Sequence, residues 1–96
     1  MVRVFLAEDQ EIIRRGLRIL LSTQPDIEVV GEAVNGQEAV ETVVRLDATA
    51  KQPDVILMDI KMPVMDGVAA TKAIISQLPK AKVIVLTTFE DNNFVS

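Results

Sequence analysis

Two hydrophobic periods alternate along the chain, and they predict strands and helices in turn. Val2 to Ala7 is apolar except for Arg3 and reads as a buried strand ending at Glu8-Asp9. Over residues 10–23, Ile13, Leu17, Leu20 and Leu21 fall at i, i+4, i+7 and i+8, one stripe of a helix, with Asp9 as its candidate N-cap. Gln24-Pro25-Asp26 ends that helix. Ile27 to Ala33 is rich in β-branched residues and alternates enough for an edge strand, and Val34-Asn35-Gly36 is a turn. Residues 36–46 place Val40, Val43 and Val44 on one helical face, and the polar stretch Asp47 to Pro53 reads as a loop with a frayed helical extension.

Val55 to Met58 is an apolar run short enough for a fully buried strand, and it stops at a carboxylate, Asp59. Met62-Pro63 and Asp66-Gly67 then punctuate a loop, because Pro63 lacks a backbone donor and fixes its own φ. Residues 66–78 predict a third helix with Thr71, Ile75 and Leu78 facing inward, Asp66 as N-cap and Gly67 allowing close packing. Val83 to Leu86 is another buried strand, ending at Thr87-Thr88, and Glu90 to Ser96 begins a fourth helix.

Strands that alternate with helices predict an α/β fold with a parallel sheet. Right-handed crossovers restrict its topology strongly. Glu8, Asp9, Asp59 and Thr87 all fall at carboxyl ends of predicted strands. Ligands of open α/β sheets bind outside those ends, where the strand order reverses. In the order 2-1-3-4 that point lies between Asp9 and Asp59, so topology gathers three carboxylates and a hydroxyl into one pocket.

Composition narrows the chemistry of that pocket. Ninety-six residues allow one domain, and a 49% hydrophobic content is enough for a core. A net charge of −4 argues against this chain as a nucleic-acid binder. With no cysteine and no histidine, disulfides, thiol metal sites, histidine-assisted nucleophiles and the common zinc sites are excluded. A metal here must sit among oxygens, which points to magnesium, calcium or manganese. Neither a signal-peptide core nor a membrane-length apolar run is visible, so a cytoplasmic location is expected.

Two carboxylates ~5 Å apart at an effective dielectric of ~20 repel by roughly 3 kcal/mol. Either one acid keeps its proton or a cation neutralises the group. A few oxygen ligands suit magnesium, which retains several waters. Magnesium, a carboxylate and a nearby hydroxyl serve phosphoryl transfer, and the carboxylate can itself be the nucleophile. Each residue also has a plain structural reading: Glu8-Asp9 as a helix cap, Asp59 as a turn residue, Thr87 as an ordinary strand end. Arg14, Arg15 and Arg18 read as a solvated helix face.

Taken together, the residues resemble the receiver domain of two-component response regulators. The likeness rests on Ala7-Glu8-Asp9, on Met58-Asp59-Ile60-Lys61-Met62-Pro63-Val64-Met65-Asp66-Gly67 and on Val85-Leu86-Thr87-Thr88, in the family's order and spacing. Gly16-Leu17-Arg18 and Pro25 to Ala33 are similar to the NarL/LuxR subgroup. The resemblance implies a flavodoxin-like (CheY-like) doubly wound sheet in the order 2-1-3-4. It implies that Asp59 accepts a phosphoryl group from a histidine kinase or a small phosphodonor. Asp9 would bind Mg2+ directly, Glu8 through a water, and the Lys61 backbone carbonyl would complete the set with Asp59. Thr87 would contact the phosphoryl oxygen and move on activation, Lys61 and Phe89 would tune its lifetime, and Ile12 and Arg15 would belong to the kinase-docking face.

The family also has a fifth strand, a fifth helix and a lysine between them, which these residues do not reach, and a DNA-binding domain follows in the subgroup. The expectation is a receiver over residues 1–96, truncated before the fifth strand, with no DNA-binding domain in this chain and DNA binding left to a longer parent. The apolar edge Val83–Leu86 is then expected to pair with a second copy. Three functions compete: a phosphoacceptor switch with no external turnover; a phosphorylation-incompetent module for oligomerisation or interaction; and a phosphotransfer enzyme. The last is disfavoured because Lys61 stands where such enzymes carry a second acid.

Overall fold

The computed structural model describes residues 1–86. Strand and helix alternate as the periodicity predicts: β1 (Val2–Ala7), α1 (Glu11–Ser22), β2 (Ile27–Ala33), α2 (Gly36–Leu46), β3 (Val55–Asp59), α3 (Gly67–Gln77) and β4 (Val83–Leu86). The strands pair in parallel in the order β2-β1-β3-β4. Expectations that fall on Thr87, Phe89 and the helix from Glu90 lie outside the described residues.

One face of the sheet is well covered. Phe5, Ala7, Ile56 and Met58 meet Ala39 and Val43 of α2 and Ala70 and Ile74 of α3 in a single buried cluster. Full burial of each large side chain there is worth about 1.5–3 kcal/mol. Short alanines at helix–sheet contacts let α2 and α3 approach each other and the sheet. This packing sets the position of the carboxyl ends of β1 and β3.

Three expectations are corrected. The inward stripe of α3 is Gly67, Ala70 and Ile74, whereas Ile75 is 43% exposed and Thr71 is half-buried; Leu78, just past the helix, does pack against the core as expected. Asp9 is not the N-cap of α1: Gln10 holds that position without a side-chain cap, and the Gln10 N–H donates instead to Glu8 Oε2 at 3.1 Å. β4 is not a buried strand, since Ile84 and Val85 are 52% and 43% exposed. The stripe of α1 is likewise only partly covered: none of its residues is buried, and Leu20 is exposed.

Candidate functional site

The site follows from the register. Ala7 of β1 lies opposite Met58 of β3, so Glu8 and Asp59 emerge one step further along two neighbouring strands. β1 is followed by β2 on one side and β3 stands on the other, so this is the point where strand order reverses. Carboxylate oxygens of Glu8, Asp9 and Asp59 all lie within 4.8 Å of one another. Glu8 and Asp59 are each 1% exposed, whereas Asp9 is exposed at the rim. Two acids are thus held out of water and a third faces it.

Burial dominates the electrostatics. Desolvation pushes the Glu8 carboxyl up to about 7, the Gln10 N–H pulls it partly back, and the charge of Asp59 adds to the rise. Without a cation, burial and the neighbouring carboxylate both favour the protonated form of Glu8. The donor set fits a hard divalent cation: oxygens alone, few in number and contributed by rigid strand ends. Magnesium suits such a set, and Asp9, Asp59 and Glu8 are the side chains that would hold it.

The loop over residues 60–66 closes the pocket's other side. Asp66 caps α3 by accepting from the Ala69 N–H at 2.8 Å, as the sequence predicts. Gly67 donates its N–H to Ile60 O at 2.7 Å, and a Cβ there would lie 2.0 Å from Asp59 O. Gly36, at the start of α2, donates to Met65 O at 2.9 Å, and a Cβ there would lie 2.2 Å from that oxygen. Close backbone approach is what requires glycine at both positions. Between them Val64 has φ 68°, and Met65 N–H donates to Pro63 O at 2.7 Å across it. A β-branched residue in the left-handed region is strained by about 1–3 kcal/mol.

Glu8, Asp9 and Asp59 come together as the sequence predicts, and Asp9, Lys61 and Asp66 line one open depression beside them. Leu86, the last described residue, is in register with Asp59, and Thr87 follows it outside the described residues. Ile12 is 86% exposed on α1, and Arg15 pairs with Glu11 on the same surface. Arg14 is not a solvated residue: its side chain is 17% exposed, bonded to Glu32 and to the Glu8 carbonyl. The sequence reading also passes over Glu32, which sits opposite Leu6 at the β1–β2 junction, and gives Gly36 only a turn. An acid amid the apolar run of an edge strand, facing a helix with three arginines, is the signal that marks the first.

A groove of about 420 Å³ lies at the amino end of β3, lined by Val43, Pro53, Ile56 and Leu78, and contains none of the clustered acids. None of the described helices is long and apolar enough to cross a membrane.

The family described as the response regulator receiver domain matches residues 4–96. The chain is 50% identical over 95 residues to the transcriptional regulatory protein LiaR of Bacillus subtilis, covering 99% of this chain and 43% of that protein. It is 45% identical over 94 residues to the response regulator protein VraR of Staphylococcus aureus, covering 98% and 43%. The chain thus spans about two fifths of the length of the curated relatives it matches. A two-component response regulator of the LuxR family from Aurantimonas superposes with a TM-score of 0.82 at 28% identity, over 99% of this chain and 64% of that one.

Proposed function

The chain belongs to the response regulator receiver domain family, and from that premise we propose that it is a phosphoacceptor switch whose acceptor is Asp59. The observation that carries the reading is the meeting of Glu8, Asp9 and Asp59, two of them buried, at the switch point of a parallel sheet. An Asp59 carboxylate oxygen attacks the phosphorus of a phosphohistidine on a sensor kinase, or of a small phosphodonor. The new bond is Asp59 O–P, and the bond from phosphorus to the donor breaks with its electron pair leaving on the donor. Asp9 and Asp59, with Glu8 through a water and the Lys61 backbone carbonyl, would hold Mg2+, which when bound neutralises charge on the transferring group.

The chain's own residues do the rest. β1 and β3 hold two acids within reach of one ligand, and burial keeps water from Asp59. The exposed Asp9 marks the side from which a donor enters. The family resemblance implies that Thr87 would contact the transferred group and that Lys61 and Phe89 would tune its lifetime, and α1 with Ile12 and Arg15 would offer the kinase a surface. No external substrate is turned over. The longer protein would be a transcriptional regulator in which this domain is the input. The half-exposed Ile84 and Val85 support a second property, self-association through β4.

The test is intact mass after incubation with a small phosphodonor and Mg2+, beside Asp59→Asn. The expected result is a gain of one phosphoryl group that the variant loses. No gain in a chain that circular dichroism shows to be folded would replace the switch with an interaction module.

A further inference from the structure

We propose that Arg14 is a positioning residue of the acid site, fixing the Glu8-Asp9 segment from behind so that divalent-cation affinity depends on it. The inference rests on the reading of Glu8, Asp9 and Asp59 as a cation site.

Hydrophobic packing alone leaves α1 loosely held. α2 is capped by Asn35 and buries Ala39 and Val43, and α3 is capped by Asp66 and buries Ala70 and Ile74. α1 has no side-chain cap and no buried residue, and Ile12, Ile19 and Leu20 are all more than half exposed. Yet the turn into α1 carries two of the three acids. Polar ties must therefore set the position of that turn.

Arg14 supplies them. Its Nη1 donates to Glu8 O at 2.9 Å and its Nε to Glu32 Oε1 at 3.1 Å. One guanidinium thus joins α1 to the end of β1 and to β2. On the other side of the same residue, Glu8 N–H donates to Ala33 O at 3.0 Å. The Glu8 residue is then pinned at its N–H and its C=O, which leaves its carboxylate and that of Asp9 a narrow range of positions. A planar fork with several donors is needed for two partners at an angle, and an ammonium serves one at a time. Residues that orient metal ligands without touching the metal typically change affinity 10–100-fold when removed.

Arg18 provides the internal control. It donates to the other oxygen of the same Glu32, Oε2, at 2.8 Å, and no bond joins it to Glu8. Removing either arginine deletes one positive charge from this corner. A purely electrostatic effect would make a nearby cation bind more tightly in both variants. Loss of positioning predicts weaker binding, in the Arg14 variant alone, so the two explanations differ in sign.

The experiment is calorimetric titration with Mg2+ alone on the wild type, Arg14→Gln, Arg14→Lys and Arg18→Gln, with urea stability in chelator measured alongside. The expected result is a Kd raised about tenfold or more in Arg14→Gln, partly restored in Arg14→Lys, and unchanged or lowered in Arg18→Gln. Wild-type affinity in Arg14→Gln, or an equal loss in Arg18→Gln, overturns the role of Arg14. If Arg14→Gln does not fold, Arg14→Lys decides, and full wild-type affinity there overturns it too. A wild type that binds no Mg2+ overturns the reading of the acid cluster itself, and the inference with it.

Discussion

Glu8→Gln tests whether the buried acid costs the fold stability when no cation is bound. In the folded chain the Glu8 carboxyl is pushed up to about 7, against 4.5 for an unperturbed glutamate, mainly by burial. Between those two values the folded state binds a proton that the unfolded state has lost, so stability falls as pH rises through the window and is level above it. The gap is worth about 3 kcal/mol, a large share of the ~5–10 kcal/mol total of a domain this size. Glutamine keeps an acceptor for the Gln10 N–H and removes the charge. Urea unfolding followed by circular dichroism, in chelator, should show the wild type losing ground to Glu8→Gln from acid to neutral pH. With an m value of ~1.5 kcal/mol/M the midpoints should separate by roughly 2 M urea. Carboxylates remote from Glu8 titrate alike in both proteins and cancel in the difference. Parallel pH profiles would refute the reasoning, because Glu8 would then ionise as readily folded as unfolded.

The same electrostatics predict that Mg2+ at one hundred times its Kd stabilises the wild type at neutral pH by about 2.7 kcal/mol, and an unmoved melting temperature would contradict it. Gly67→Ala should cost about 1–3 kcal/mol and displace the Asp59 amide in NMR spectra, since its Cβ would meet Asp59 O at 2.0 Å. Val64→Gly should raise stability by about 1 kcal/mol in urea unfolding by relieving the positive φ; a loss would mean the strain argument is wrong. If the chain self-associates through β4, Ile84→Lys should shift sedimentation toward a monomer, and an unchanged mass distribution would exclude that edge.

Most of the fold was legible because strand and helix periods are set by near neighbours in the chain. The lengths of β1 and β3, the turn at Pro63 and the cap at Asp66 each depend on a few adjacent residues. The alternation and the restriction on crossovers call for a parallel sheet, the family resemblance supplies the order β2-β1-β3-β4, and that order delivers Glu8, Asp9 and Asp59 to one end. Elsewhere the local signal was degenerate. Val68 to Ile75 is apolar on nearly every side, so rotating α3 by one residue leaves the pattern unchanged, and packing against α2 and β3 chose Ala70 and Ile74. Val83 to Leu86 reads alike whether covered on both faces or on one.

The sequence by itself determined which groups could act: oxygen ligands only, an acid at the end of each inner strand, a loop broken by proline and glycine. Tertiary structure alone decided their state. The upward shift of the Glu8 carboxyl comes mainly from desolvation, which exists only when the sheet closes over it. The tie from Arg14 to the Glu8 carbonyl and to Glu32 requires α1 and β2 to dock side by side. The need for glycine at 36 and 67 comes from carbonyls of a loop far away in sequence or folded back on itself. Each of these is an interaction between surfaces that become neighbours on folding, so no window of adjacent residues contains it.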